Sequence, residues 1–274
     1  MEMKKQTEKQ FELNRGIRRQ MALTAGLLAI SLLLAPAAHA LSSEGPSSWA
    51  GAGGAVLLQH SGETSDLGLQ AFQSNASAAQ WTDVPESAGE WVAVAMDGNR
   101  VLFFYAPDSE LAVCTLDEAG APAEWLPLEF SAQDFVPVAL EGNHVLVQRG
   151  TYGELVNCEF DEQGLLLSEN TLWENSMGWA VRGMNANRLV LEHDATGKVA
   201  IWAINPKAPL FRPYDSFTLD SGWAVRDFSG NFVLIQQGET GAVKLVELGD
   251  GYRAEKTTEL VSDNDGWVAI ALAR

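Results

Sequence analysis

Basic residues are scarce in this 274-residue sequence: 18 Lys+Arg stand against 36 Asp+Glu, a net charge of −18 at pH 7. Six of the basic residues (Lys4, Lys5, Lys9, Arg15, Arg18, Arg19) and three acidic ones (Glu2, Glu8, Glu12) fall in the first 40 positions, leaving 12 against 33, a net of −21, for 41–274. So acidic a body repels phosphate, which argues against nucleic acid and anionic lipid as partners. Cysteine is nearly absent. Cys114 and Cys158 are the only two, with no metal-spaced Cys/His set, so a disulfide-stapled mini-domain and a zinc module are excluded and no metal or cofactor is expected. Long apolar runs are also lacking. The run 21–35 (MALTAGLLAISLLLA) has about 15 residues, short of the roughly 20 that a spanning helix needs. What is present, 46% hydrophobic and 20% charged residues, is the balance of a globular chain.

The polar, basic stretch 1–20, the apolar run and Ala38-His39-Ala40 follow the order of a secretory signal peptide. The expectation is a signal peptide over 1–40, cleaved after Ala40, no membrane span after cleavage, and a periplasmic or secreted mature chain 41–274. Arg18-Arg19 leaves the Sec and twin-arginine routes both open. The two cysteines then lie in an oxidising compartment.

The mature chain repeats. An aromatic followed by a small apolar run recurs at Trp91, Phe135, Trp179, Trp223 and Trp267, each 44 residues after the last, with Trp49 lying 42 before Trp91. Asn99, Asn143, Asn187 and Asn231 keep the same phase, behind Gly98, Gly142, Ala186 and Gly230. Each unit reads as four strands: an aromatic-led run (91–96), an apolar run (101–105, 232–236), a third (111–116, 155–160, 199–204, 243–248) and a less regular fourth (124–130, 165–172). Gly-bearing turns separate them. A four-stranded repeat near 44 residues is the range of a propeller blade.

The two ends are complementary. The first repeat opens on a Gly-rich, poorly β-forming stretch at Trp49, and the chain stops after one good strand, 267–273. The expected fold is all-β: a single five-bladed β-propeller domain over 41–274, with repeats starting near 49, 91, 135, 179 and 223 and a closing strand, 267–274, paired with the first repeat. Closure removes two sheet edges. The inner strands carry small residues for a crowded axis: Ala93/Ala95, Pro137/Ala139, Val181/Gly183 and Ala269/Ala271.

Gly178-Trp179, Gly222-Trp223 and Gly266-Trp267, with Gly142-Asn143 and Gly230-Asn231, resemble bacterial propeller repeats that begin Gly-Trp and continue Gly-Asn-x-x-Leu. In blade number and compactness the chain is similar to five-bladed lectins of the tachylectin-2 kind. The resemblance covers about 49–274 and implies the propeller fold. It carries over no sugar-contact residue.

Candidate ligand-binding residues are the phase-locked Trp91, Trp179, Trp223 and Trp267, with Phe135 in the fifth place. They either stack on sugar rings, giving several equivalent weak sites, or wedge between blades; the second reading is favoured because Phe substitutes for Trp. Arg182, Arg226 and Asp227 are the only charges on the inner strands. As candidate ligand-binding residues, Arg182 and Arg226 line the axial channel and hold an anion; the favoured reading is instead an Arg226–Asp227 or Arg182–Asp227 ion pair with water in the channel. Acidic turns (Asp97, Asp117, Glu141, Asp161, Asp263-Asn264-Asp265-Gly266) are read as hairpin turns rather than calcium loops. Cys114 and Cys158, equivalent on adjacent blades, are expected as buried free thiols, since packed sheets stand about 10 Å apart. His60, His144 and His193 are read at three different phases, unlike a symmetric metal site. Together these give an exported, non-enzymatic binding module for a glycan or another envelope protein. A propeller glycoside hydrolase and a purely structural envelope protein are the alternatives.

Overall fold

The apolar runs between the Gly turns become strands, and in the computed structural model those of one repeat pair in order within a blade. The structure describes residues 54–60, 67–72, 78–84, 91–117, 120–150, 153–174, 178–185, 188–205, 208–262 and 266–273. The expected signal peptide and its cleavage site, Trp49, Asn187 and the acids at 263 and 265 lie outside them.

Blade one opens with β1 (Gly54–His60), β2 (Leu67–Phe72) and β3 (Ala78–Val84). Blade two is β4 (Trp91–Asp97), β5 (Arg100–Tyr105), β6 (Glu110–Leu116) and β7 (Pro122–Leu128). Blade three is β8 (Phe135–Glu141), β9 (His144–Arg149), β10 (Leu155–Phe160) and β11 (Leu166–Trp173). Blade four is β12 (Trp179–Asn185), β13 (Arg188–His193), β14 (Lys198–Asn205) and β15 (Ala208–Thr218), and blade five is β16 (Trp223–Ser229), β17 (Phe232–Gln237), β18 (Val243–Leu248) and β19 (Ala254–Val261). The last strand, β20 (Trp267–Ala273), is the inner strand of blade one: it pairs antiparallel with β1 from Ala55↔Ala273 to His60↔Trp267. Five four-stranded antiparallel sheets result. Their inner strands touch in the cyclic order β4, β8, β12, β16, β20 and back to β4. The ring is closed by the strand that the sequence leaves unpartnered.

Apolar side chains between neighbouring blades form the core. Leu57, Leu69, Ala93, Phe103 and Cys114 cluster where blades one and two meet, and Leu102, Val113, Leu140, Val147 and Cys158 where two and three meet. Both cysteines are free and fully buried.

The repeated Gly-Asn has a local cause. Gly98, Gly142 and Gly230 turn at φ +59, +55 and +60. The following Asn then ties the turn to the third strand. Asn143 accepts at its carbonyl from Phe160 N–H at 2.9 Å and donates from Nδ2 to Phe160 C=O at 2.9 Å, and Asn99 does the same with Leu116. One side chain thus fixes where strand three ends.

A second period, not read from the sequence, joins one blade to the next. Gln59, Gln148, Glu192 and Gln236 are buried on the second strands of blades one, three, four and five. Each accepts, at a side-chain oxygen, the N–H of the third residue of the next inner strand: Ala93 (3.2 Å), Val181 (3.3 Å), Val225 (3.2 Å) and Ala269 (3.1 Å). At the remaining boundary the acceptor position holds Phe104 and the donor position Pro137. Proline has no N–H to give, and the position facing it has no acceptor. Gln236 also donates from Nε2 to Trp267 C=O at 2.8 Å, grasping the closing strand by both backbone groups.

Two outcomes follow. Gln236→Leu leaves the Trp267 carbonyl and the Ala269 amide unpaired and should lower unfolding stability by about 1–3 kcal/mol, read from urea unfolding; an unchanged midpoint would mean that the closing strand does not depend on this tie. Burial holds the Cys114 thiol up at about 11 and the Cys158 thiol, with help from Glu169, at about 12. Because the thiolate is the reactive form, a thiol reagent should find essentially no reactive group at pH 8 in the native protein and two after denaturation.

Candidate functional site

The inner strands form the wall of the ring, and one irregularity recurs in all five. Their pairing with the second strand skips a residue between Ala93 and Ala95, Pro137 and Ala139, Val181 and Gly183, Val225 and Asp227, and Ala271 and Ala269. The bulged residues are Val94, Val138, Arg182, Arg226 and Ile270, all half-buried. A bulge takes a side chain out of the strand's alternation and re-aims it. Here the residues on either side (Ala93 and Ala95, Ala269 and Ala271) stay buried between blades.

Arg182 and Arg226 therefore occupy equivalent bulges on adjacent blades, yet their surroundings differ. Arg182 donates from Nε to Glu192 Oε2 at 3.1 Å and from Nη2 to Asp194 Oδ1 at 3.2 Å. Glu192 Oε2 also takes the Val225 N–H, so one carboxylate joins blades four and five and neutralises Arg182. Arg226 has a buried Nε with no acceptor. Burial lowers its pKa, the nearby Arg182 lowers it further, and Glu192 opposes them.

Asp227 was expected in an ion pair with Arg182 or Arg226, and the structure shows neither pair. Asp227 is buried between blades and is held by backbone: its Oδ2 accepts the Leu272 N–H of the closing strand at 2.7 Å. Space for it comes from the preceding blade, where a Cβ on Gly183 would stand 2.6 Å from Asp227 Oδ1 and 3.0 Å from Phe228 N. At this level the five inner strands read Ala95, Ala139, Gly183, Asp227 and Ala271, and the glycine is the room the aspartate needs. Burial pushes the carboxyl up to about 7, Asp97 adds to this, and the Leu272 and Phe228 amides oppose it.

The phase-locked aromatics are all half-buried. Each stands across the ladder from the last residue of its blade's second strand: Trp267 from His60, Trp91 from Tyr105, Phe135 from Arg149, Trp179 from His193 and Trp223 from Gln237. The partners touch. His60 and His193 set their edges to Trp267 and Trp179, with centroids 5.2 and 5.1 Å apart. Tyr105 lies 5.3 Å from Trp91, and the Arg149 guanidinium is 4.8 Å above Phe135. The Lys244 ammonium lies 4.2 Å from the Trp223 ring centre. His60 and His193 therefore share one phase, not the different phases read from the sequence. Blade one has to be counted from Trp267, its true inner strand, rather than from Trp49. The glycine of the Gly-Trp pair leaves room for the same partner: Gly178 and Gly266 have φ +91 and +76, and a Cβ on either would press on His193 or His60.

Where the inner strands end, Met96, Asp97, Leu140, Glu141, Met184 and Ser229 help line a cavity of about 70 Å³. That is room for a few waters and far below the roughly 300 Å³ at which small-molecule pockets begin. Asp97 spends an oxygen there on the Gly142 N–H of the next blade, at 2.7 Å. Among the described residues no three His, Cys, Asp or Glu side chains gather as a metal site.

No family model matches this sequence, and no curated protein sequence does. Solved structures do match in shape. A chain of a nidogen/laminin complex aligns at TM-score 0.47 and 13% identity over 81% of this chain and 99% of its own. The periplasmic gluconolactonase PpgL of Pseudomonas aeruginosa aligns at 0.38 and 14% over 79% and 70%. A quinoprotein alcohol dehydrogenase-like protein of Bacteroides thetaiotaomicron aligns at 0.40 and 11% over 81% and 66%. At such scores the likeness carries no argument about function.

Because the folded carboxyl of Asp227 titrates near 7 and an unfolded one at 3.8, the folded state holds the extra proton between these values. Its contribution to stability is fully present below 3.8 and is lost as pH rises through 7. The melting temperature of the wild type should therefore fall against that of Asp227→Asn between pH 4 and pH 8; a constant difference would show that the carboxyl is not held neutral.

Proposed function

We propose that this chain is an exported, non-enzymatic binding module whose ligand is carbohydrate, taken by the collar of aromatic residues at the start of the inner strands. One observation carries the reading. Trp91, Trp179, Trp223 and Trp267 are each half-buried beside a polar side chain fixed by strand register: Tyr105, His193, Gln237 and His60. An aromatic face with a hydrogen-bonding neighbour suits a sugar ring, which presents C–H groups to one and hydroxyls to the other. Several such places on one rigid ring bind weakly one by one and strongly together. Five-bladed lectins share this blade number and compactness, and export by the expected 1–40 signal peptide would put the collar where glycans are displayed.

Hydrolysis is the weaker reading. Glycoside cleavage uses two carboxylates about 5–9.5 Å apart at one sugar. Asp227 is buried with its carboxylate committed to a backbone amide, and Asp97 is committed to Gly142 N–H. Among the described residues no helix is long and apolar enough to cross a membrane.

On a glycan array the purified protein should retain a defined set of saccharides. His193→Ala, which keeps Trp179, should lower apparent avidity by about tenfold with the melting temperature unchanged. No retained glycan, together with a single envelope protein recovered by pull-down, would replace this reading with protein scaffolding.

A further inference from the structure

The five collar positions are not alike. In blade two Trp91 is joined by Trp125 of the outer strand β7, where the equivalent positions of blades three and five, opposite Cys158 and Val246, hold Glu169 and Thr257. Register puts both tryptophans on the sheet face turned to blade one. Trp91 stands opposite Tyr105, Ala93 opposite Phe103, and Trp125 opposite Cys114, and Ala93, Phe103 and Cys114 pack in the core between blades one and two. The rings form one series. Trp91 lies 5.3 Å from Tyr105 and 6.2 Å from Trp125, and Trp125 lies 4.9 Å from Phe103. Ala112, opposite Phe103 on the third strand, is small enough for rings of the inner and outer strands to meet across it. Phe103 is buried, and Trp91 and Tyr105 are half-buried. Trp125, exposed by 41%, is the most exposed aromatic side chain among the described residues.

Two other collar positions show what such a ring attracts. The Arg149 guanidinium lies over Phe135 and the Lys244 ammonium over Trp223, each drawn by the negative face of the ring. Blades three and five therefore supply a cation of their own. Blade two has none to supply. From 41 to 148 the sequence holds a single Lys or Arg, Arg100, and it opens β5 at the end away from Tyr105, about 16 Å along the strand. Carboxylates stand there instead. Glu110 is exposed and lies directly across the ladder from Tyr105, on the same face. In the sequence Glu90 precedes Trp91, where Trp179, Trp223 and Trp267 follow glycine. An aromatic face that reaches solvent, is bordered by a carboxylate and has no basic neighbour takes its cation from outside.

We propose that this face of blade two is the principal sugar site and that it takes a saccharide carrying a free, unacetylated amino group. The sugar ring lies on Trp125, and its ammonium stands over Trp91 and Tyr105, within reach of Glu110. The inference rests on the carbohydrate reading and names the class of sugar. Tilted by 56° with centroids 6.2 Å apart, Trp91 and Trp125 can both come within the roughly 6 Å at which a ring attracts a cation. The acidic surroundings add a longer-range attraction that a neutral sugar does not feel.

The test is a titration of the purified protein, at about pH 6 where the amine is charged, with a glucosamine tetramer, its N-acetylated counterpart and a glucose tetramer. Binding is followed by calorimetry and by tryptophan fluorescence. The glucosamine tetramer should bind at least about tenfold more tightly than the other two, and the difference should shrink as salt is added. An acidic protein attracts a polycation at many places, so the variant that keeps every charge decides. Trp125→Ala should weaken the glucosamine tetramer by about tenfold with the melting temperature unchanged, and Glu110→Gln should weaken it about threefold. Equal affinity for the acetylated or the glucose tetramer, or an unchanged glucosamine affinity in Trp125→Ala, overturns the proposal and leaves the carbohydrate reading standing. No binding of any tetramer, with a silent glycan array, overturns both. Should Trp125→Ala fail to fold, Glu110→Gln decides in its place, and an unchanged affinity there overturns the proposal.

Discussion

An inner strand of a propeller pairs on one side only, and its other edge is turned toward its neighbours at the crowded axis. The amides along that edge are buried and need acceptors, because an unpaired buried N–H costs about as much as a lost hydrogen bond. This chain supplies them from the preceding blade. Gln59, Gln148, Glu192 and Gln236 serve the third residue of the strand, Asp97 serves Gly142, and Asp227 serves Leu272. The bonds reach across blade boundaries, so they fix the order and spacing of the blades as well as satisfying the edge. Apolar packing between sheets is non-directional and would tolerate more sliding. Phe104 and Pro137 show the same rule from the other side, since a residue with nothing to donate faces one with nothing to accept.

The closing strand depends on these ties more than any other element. β20 is far in sequence from β1, so its chain entropy is lost before its contacts form. Three buried groups hold it: Gln236 at the Trp267 carbonyl and the Ala269 amide, and Asp227 at the Leu272 amide. All three come from blade five, the blade the chain completes just before β20. Asp227 carries a cost of its own, since burial disfavours its charge. It is kept at the last boundary, with Gly183 cleared to receive it.

Much of this was legible in the sequence, and the reasons for the rest are specific. The aromatic and Gly-Asn periods gave strand positions to within one or two residues, because hairpin turns demand particular residues at particular places. The need to hide a sheet edge gave the closure. The tie between blades stayed hidden because its acceptor position holds Gln three times, Glu once and Phe, which cannot accept, once, and because the first blade is offset by one residue relative to the others. That same offset separated His60 from His193 in the reading, although both stand against a tryptophan of the inner strands. The bulges were invisible for another reason: the bulged position is Val, Val, Arg, Arg and Ile, without the glycine that would have marked it. Asp227 was grouped with the arginines because sequence alone does not separate the two sides of an inner strand, and the bulge does. Adding one residue sends it between the blades and leaves Arg226 on the axial side.

The repeat therefore separates two kinds of position. Those that keep their residue type from blade to blade, such as the turn Gly-Asn of blades two, three and five, answer a demand of the hairpin itself. Positions that keep their geometry and change their chemistry answer to something else. The bulge is the clearest case: packing alone would accept valine five times, as it does at Val94 and Val138, yet two adjacent blades carry arginine. Glu192 then follows from Arg182, since replacing the Gln of the other blades by Glu keeps the tie to Val225 and adds a counter-charge. Arg226 has no carboxylate of its own on blade five, where the tie remains Gln236, and feels only the Glu192 charge of blade four. The ring thus gives one bulge arginine an ion pair and leaves its neighbour to the field of the same carboxylate, so its charges do not keep the fivefold repetition that its backbone keeps.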